Sequence, residues 1–172
     1  MSVWAILVAA GRGERLGLDR PKAFAKLGDE PLLAEPLRRL EACPWVDGIV
    51  LVHDAARPLV SDEVVERVLA PLSDGWDGAV PGLPVGDTLK RVGSDGGIEE
   101  TVSRDGLWAI QTPQAFTADR FRQVLARNSL LQATDCAGLV EAAGGRVKVV
   151  GGDARLLKVT SEADLETVAG WR

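Results

Sequence analysis

Short uncharged runs alternate along the chain with stretches whose apolar residues recur every three or four positions, the pattern of strands alternating with helices. Val3-Trp4-Ala5-Ile6-Leu7 predicts a buried first strand. Pro31-Leu32-Leu33 with Leu37, Leu40 and Cys43 predicts a helix over 31 to 43, with Pro31 in its first turn. Gly48 opens Ile49-Val50-Leu51-Val52, a β-branched run suited to a strand covered on both faces, which ends at His53-Asp54. Ser61 caps a helix whose first turn carries Asp62 and Glu63 and whose apolar side shows Val64, Val65, Val68 and Leu69. Gly78-Ala79-Val80-Pro81 starts a short strand. From Pro84 to Leu107 the stripe disappears, and Gly86, Gly93, Gly96 and Gly97 punctuate two polar extended segments, which reads as a projecting hairpin arm.

Beyond the arm, Trp108-Ala109-Ile110-Gln111 returns to the sheet and Thr112-Pro113-Gln114 makes a turn. Thr117 caps a helix bearing Phe121, Val124 and Leu125, and a further helix covers 134 to 143, ending at Gly144-Gly145. Val147 to Val150 and Leu156-Leu157-Lys158-Val159 read as strands, and Ser161 with Asp164 spells a capping box ahead of the last helix. Such alternation predicts one three-layer α/β domain, Rossmann-like, with a mostly parallel sheet and its functional loops at the carboxyl ends of the strands.

Charge narrows the partners. Against 25 acidic residues stand 20 Lys and Arg, a net charge of −5, which disfavours a general nucleic-acid or membrane-surface binder and makes any anion site a local one. No apolar run approaches the roughly 18 residues of a membrane span, and no secretory leader precedes the first strand, so a cytoplasmic protein is expected. Cys43 and Cys136 lack metal-ligand company, His53 being the only histidine, and read as buried thiols of a reducing compartment.

The candidate chemistry gathers on strand-end loops. Directly after the first strand, Ala9-Ala10-Gly11-Arg12-Gly13 lets backbone N–H groups approach an anion, while Arg12, Arg15, Arg20 and Lys22 supply cations. A nucleoside triphosphate is the natural guest. A dinucleotide fingerprint needs Gly where Leu16 stands, and the Gly-Lys-Ser/Thr of a Walker loop is absent. Asp54 ends a strand and is followed by Ala-Ala-Arg57-Pro58; it could hold Mg²⁺, which favours one or two carboxylates plus phosphate oxygens, or simply cap a turn or pair with Arg57. His53 reads as a structural hydrogen-bonder rather than a base. Asp87-Thr88, Arg104, Thr112 and Lys158 complete a set of anion-seeking groups.

Taken in order, Ala-Ala-Gly-x-Gly-x-Arg with Pro-Lys, Val-His-Asp-Ala-Ala-Arg-Pro, Asp-Thr-x-Lys, Arg-Asp-Gly-Leu-Trp, Thr-Pro-Gln-x-Phe, Thr-Asp and Lys-Val-Thr resemble the 2-C-methyl-D-erythritol 4-phosphate cytidylyltransferases over residues 4 to 169. The resemblance implies a nucleotidyltransferase fold, transfer of CMP from CTP to methylerythritol phosphate in non-mevalonate isoprenoid synthesis, and release of pyrophosphate. It implies that Ala9, Ala10, Gly11 and Gly13 cradle the CTP phosphates, that Arg15 and Lys22 neutralise charge on the α-phosphate and the leaving group, and that Asp54 sits at the Mg²⁺ and substrate end. It implies that Arg104 and Lys158 position the methylerythritol phosphate, with Arg57, Thr88 and Thr112 adding contacts. It also implies a homodimer in which the arm crosses to the partner, so that Thr88 helps complete the other site.

Departures from the family pattern carry equal weight. A Gly-Gly-x-x-x-Arg-x-x-Ser-Val segment that reads the cytosine ring is absent, and Gly48 to Asp54 joins the start of one family strand to the end of another. Either two strands are fused in the protein, which would cost base selectivity or activity, or a stretch between them is missing from the chain as written. Ala23 stands where many members carry Gln, and Leu156 where Asn commonly precedes the lysine by two, with Asp153 as a substitute ligand. Rival readings are a ribitol-phosphate or other polyol-phosphate cytidylyltransferase, a catalytically silent nucleotide-binding module, and an NAD-binding protein, the last disfavoured by Leu16 and by the lack of a second-strand acid.

Overall fold

The computed structural model describes residues 4–8, 25–32, 35–36, 49–125 and 135–172. Its central element is β4 (Ile49–Asp54), where the uncharged run pairs in parallel with β1 (Trp4–Val8), Trp4 facing Val50 and Val8 facing Asp54. Alternate residues of β4 serve opposite faces, as the two-residue period of a strand requires. Ile49 and Leu51 join one apolar cluster, and Val50 and Val52 another. The short strands β2 (Lys26–Leu27) and β3 (Glu30–Pro31) form a separate antiparallel pair across Gly28, whose φ of 67° needs no side chain. Pro31 therefore ends a strand instead of opening a helix; the rest of the 31 to 43 expectation lies largely outside the described residues.

Helix α1 (Asp62–Ser73) turns Val64, Val65, Val68 and Leu72 onto the first face, against β5 (Gly78–Pro84). Ser61 stands at its N-cap position without a side-chain cap bond. The chain then forms a two-stranded hairpin, β6 (Leu89–Val92) against β7 (Ile98–Val102), and returns through β8 (Trp108–Ile110), which pairs antiparallel with the far end of β5.

Thr112-Pro113 is followed by β9 (Gln114–Thr117), a strand in place of the expected turn into a helix. It runs antiparallel between β4 and β5, so the order is β1-β4-β9-β5 and then β10 (Val147–Gly151), with β8 alongside β5. Four of these six strands share one direction, and the two that oppose it arrive from the hairpin. Phe116 of β9, wholly buried, stacks on Phe121 of α2 (Ala118–Leu125) with ring centroids 5.4 Å apart. With Val140 of α3 (Cys136–Ala142), these rings fill the second face. Helices thus cover both faces of the sheet, the three-layer arrangement that the alternation predicts.

Two expectations need correction. β1 is not buried: Ile6 is 43% and Val8 46% exposed, because among the described residues β1 has a strand, β4, on one side only. Leu156 to Val159 is not a strand but a 3₁₀ turn, Ala154–Leu156, followed by an irregular segment that enters α4 (Glu162–Gly170). Its backbone partners are rim loops instead of a ladder: the Val159 N–H donates to the Ala56 carbonyl at 2.8 Å.

Candidate functional site

The loop after β4 carries the site. Asp54 is the last residue of that strand, level with Val8, the residue that precedes the glycine-rich stretch; the Ala55 N–H donates to the Val8 carbonyl at 3.0 Å. The Asp54 carboxylate accepts from the Ala56 N–H at 2.9 Å through Oδ1 and meets Lys158 Nζ at 2.7 Å through Oδ2. The lysine side chain stays 44% exposed and the carboxylate 24%. Such an open ion pair is worth little to stability but presents both signs of charge to a ligand.

Lys158 reaches this position because its irregular segment is tied at several points. Gln111, buried, donates through Nε2 to the Asp153 carbonyl and accepts from the Asp153 N–H through Oε1, at 2.8 and 3.1 Å. Arg57 donates through Nη1 to the Leu156 carbonyl at 2.5 Å. Asp164 accepts from the N–H groups of Thr160 and Ser161, each at 2.8 Å, and from the Thr160 hydroxyl. The Thr160 N–H and hydroxyl, followed by those Ser161 bonds, bring the Asp164 carboxyl down to about 2.

Burial lowers the pKa of the Arg57 guanidinium, opposed by the nearby Asp54 charge. Its Nε is buried with no hydrogen-bond partner. A cation held partly out of water adds positive potential to the rim beside it.

His53, one residue before Asp54, is wholly buried, and that burial brings its pKa down to about 4. The ring is therefore neutral, and its hydrogen bonds fix which nitrogen carries the proton. The Arg57 carbonyl, 2.9 Å from Nε2, only accepts, so Nε2 is protonated. Nδ1 then accepts from the Thr112 hydroxyl at 3.0 Å, and the same oxygen accepts from the Asp54 N–H at 3.0 Å. The single proton of Thr112 is thereby engaged inside the protein, leaving the hydroxyl only as an acceptor toward a substrate.

Asp54, Arg57, Thr112 and Lys158 are thus brought together at one rim. Thr88 and Arg104 lie on the exposed hairpin, where Arg104 donates to the Gly86 carbonyl. The contributions expected of Ala9, Ala10, Gly11, Gly13, Arg15 and Lys22 lie outside the described residues. The Asp153 carboxylate accepts from the Arg155 N–H at 2.8 Å through Oδ1. Among the described residues no three His, Cys, Asp or Glu side chains group as a metal cluster. Sequence reasoning missed the part played by Gln111 and Asp164 in holding Lys158. Only the capping-box spelling hinted at Asp164, and nothing signalled Gln111.

A three-layer α/β sheet whose rim gathers a carboxylate, a lysine and a half-buried arginine level with Val8, after which the sequence turns glycine-rich, fits the class of nucleotide- and phosphate-handling α/β proteins. The profile of one family in that class, IspD: 2-C-methyl-D-erythritol 4-phosphate cytidylyltransferase, matches residues 3–50 and 37–170. The chain belongs to that family. A 2-C-methyl-D-erythritol 4-phosphate cytidylyltransferase of Frankia casuarinae is 39% identical over 209 residues, covering 95% of this chain and 78% of the relative. A bifunctional IspD/IspF enzyme of Rhodospirillum rubrum is 37% identical over 95% of this chain, which spans only 55% of that longer protein. The crystal structure of 2-C-methyl-D-erythritol 4-phosphate cytidylyltransferase from Thermus thermophilus matches with a TM-score of 0.82 at 31% identity, covering 99% of this chain and 98% of that one.

These matches also locate the departure. The aligned length of 209 residues exceeds the 172 of this chain, so the Frankia relative carries internal residues with no counterpart here. Residues 37–50 answer to two places in the family profile, where the sequence joins the start of one strand to the end of another.

Proposed function

We propose that the protein transfers a cytidylyl group from CTP to 2-C-methyl-D-erythritol 4-phosphate and releases pyrophosphate, supplying a non-mevalonate isoprenoid route. The observation that carries this reading is the Asp54–Lys158 pair at 2.7 Å, placed beside both Arg57 and the end of β1 in a chain of this family. The substrate phosphate is the nucleophile. Its oxygens are anionic near neutral pH, so in-line attack on the α-phosphorus needs alignment and charge neutralisation more than a base. A buried, neutral and doubly hydrogen-bonded His53 fits a site that uses no general base. Lys158, with the Arg57 guanidinium behind it, supplies positive charge for the incoming phosphate, while Arg15 and Lys22 screen the charge on the α-phosphate and the departing pyrophosphate. Asp54, a partly exposed carboxylate that belongs to no group of three metal-ligating side chains among the described residues, suits Mg²⁺ bound mainly through phosphate oxygens. That ion would supply charge neutralisation across the triphosphate.

Dimerisation through the hairpin belongs to the same proposal. Val92, Ile98, Leu107 and Trp108 are 40–67% exposed there, apolar surface that a second copy would cover, bringing Thr88 and Arg104 toward the partner's site. No helix among the described residues is long and apolar enough to cross a membrane, and the free, half-buried Cys136 thiol goes with a reducing cytoplasm.

Pyrophosphate release from CTP in the presence of methylerythritol phosphate, ribitol phosphate or neither tests the reading. Release that depends on methylerythritol phosphate and Mg²⁺ and is lost in Lys22→Ala supports it; preference for ribitol phosphate selects the polyol-phosphate rival. Triphosphate binding without release makes the protein a silent nucleotide-binding module. Intact mass decides the chain in question: 18.3 kDa means a fused strand, for which weakened choice among pyrimidine triphosphates is expected.

A further inference from the structure

His53 is the only histidine of the chain, is wholly buried, and has no direct part in the proposed reaction. Its hydrogen bonds nevertheless run through three residues of the site. The Asp54 N–H donates to Thr112 Oγ1, the Thr112 hydroxyl donates to His53 Nδ1, and His53 Nε2–H donates to the Arg57 carbonyl, each step 2.9–3.0 Å long. The relay begins at the backbone of Asp54 and ends at the backbone of Arg57, so it closes a ring around the turn Asp54-Ala55-Ala56-Arg57. The same turn receives the Val159 N–H at Ala56 and presents the Asp54 carboxylate to Lys158.

We infer that His53 is a positioning residue, held in the Nε2-protonated tautomer, that fixes the turn 54–57 and the Thr112 hydroxyl so that the Asp54–Lys158 pair and the Arg57 guanidinium face the substrate together. A hydrophobic side chain of similar size would fill the space, but it would leave the Thr112 proton and the Arg57 carbonyl unmet. A phenylalanine could not choose the direction of the Thr112 hydroxyl. Direction matters because an oxygen whose proton is engaged inward offers only a lone pair outward, which repels a phosphate oxygen and suits a hydroxyl or ammonium donor. Thr112 therefore faces the hydroxylated part of a polyol phosphate instead of its phosphate group, which falls to Arg57 and Lys158.

The kinetic part rests on the proposed cytidylyl transfer; the tautomer does not. Nitrogen NMR of the full chain labelled at histidine gives a single, unambiguous residue. A pyrrole-type Nε2 with a pyridine-type Nδ1 at neutral pH supports the relay, and the opposite tautomer or a charged ring overturns it. Thr112→Val, close to isosteric, is expected to disturb that signature and to lower kcat/KM for the polyol phosphate about a hundredfold, the scale of a misplaced reacting group. Thr112→Ser is expected to restore both, and adding His53→Gln to Thr112→Val to cost little more, because the two changes break one chain of bonds. Full kcat/KM in Thr112→Val, or no recovery in Thr112→Ser, overturns the assignment. A wild-type protein without any transfer overturns the functional reading instead; the relay is then decided by the nitrogen spectrum alone.

Discussion

At the residue scale, the site depends on the difference between groups that hold structure and groups left open. Lys158 belongs to the second kind: its side chain is 44% exposed and its ion-pair partner is a partly exposed carboxylate. Lys158→Met should therefore lower kcat/KM at least about a hundredfold while changing unfolding free energy by only about 0.5 kcal/mol, checked by steady-state kinetics beside urea melts. His53 belongs to the first kind. Its folded pKa of about 4 lies below the ordinary 6.5, so the unfolded chain binds the extra proton between these values. Its contribution to stability is complete above pH 6.5 and is lost as pH falls toward 4, by an amount on the order of 3 kcal/mol. Urea midpoints measured from pH 7 to pH 4 should fall accordingly, and a His53→Gln variant should lose that part of the slope. Arg57 was legible as a rim cation from the Asp-Ala-Ala-Arg spelling, but its bond to the Leu156 carbonyl, 99 residues away, was not.

At the element scale, period and capping were legible where an element serves one face and ends on a polar signal. Ser161 and Asp164 form the capping box that their spacing spells, and Gly144, with φ of 78°, follows α3 as a left-handed residue. Asp164→Ala should cost about 1–2 kcal/mol in chemical denaturation, the upper range for a cap, because the carboxylate also holds Thr160 behind Lys158. Gln114-Ala115-Phe116-Thr117 was not legible as a strand. Four residues after a proline carry too little periodicity, and only the slot between β4 and β5 makes them extended. Leu156 to Val159 failed in the opposite direction. Leu156 and Val159 are wholly buried and look like strand residues, but their backbone is claimed by Arg57 and Ala56 from a neighbouring loop.

At the scale of the whole molecule, the order of strands decides what an apolar run is worth. β1 has as apolar a sequence as β4, yet Ile6 and Val8 are nearly half exposed while Leu51 is fully buried. Ile6→Ala should then cost about 1 kcal/mol or less and Leu51→Ala about 2–5 kcal/mol in urea unfolding; equal costs would mean that β1 is covered on both sides. The doubly matched stretch 37–50 runs into the start of β4, so the departure from the family pattern meets the sheet at the strand beside β1.

By itself, the sequence determined the α/β class, much of the strand and helix pattern, the family, and the strand-end location of Asp54 and Arg57, because each is written in neighbouring residues or in short motifs. The tertiary structure alone decided that β9 enters the sheet antiparallel, that β1 lies at an exposed edge, that Lys158 pairs with Asp54, and that His53 carries its proton on Nε2. Each of these is settled by a partner distant in sequence or by backbone groups whose identity the side chains do not encode.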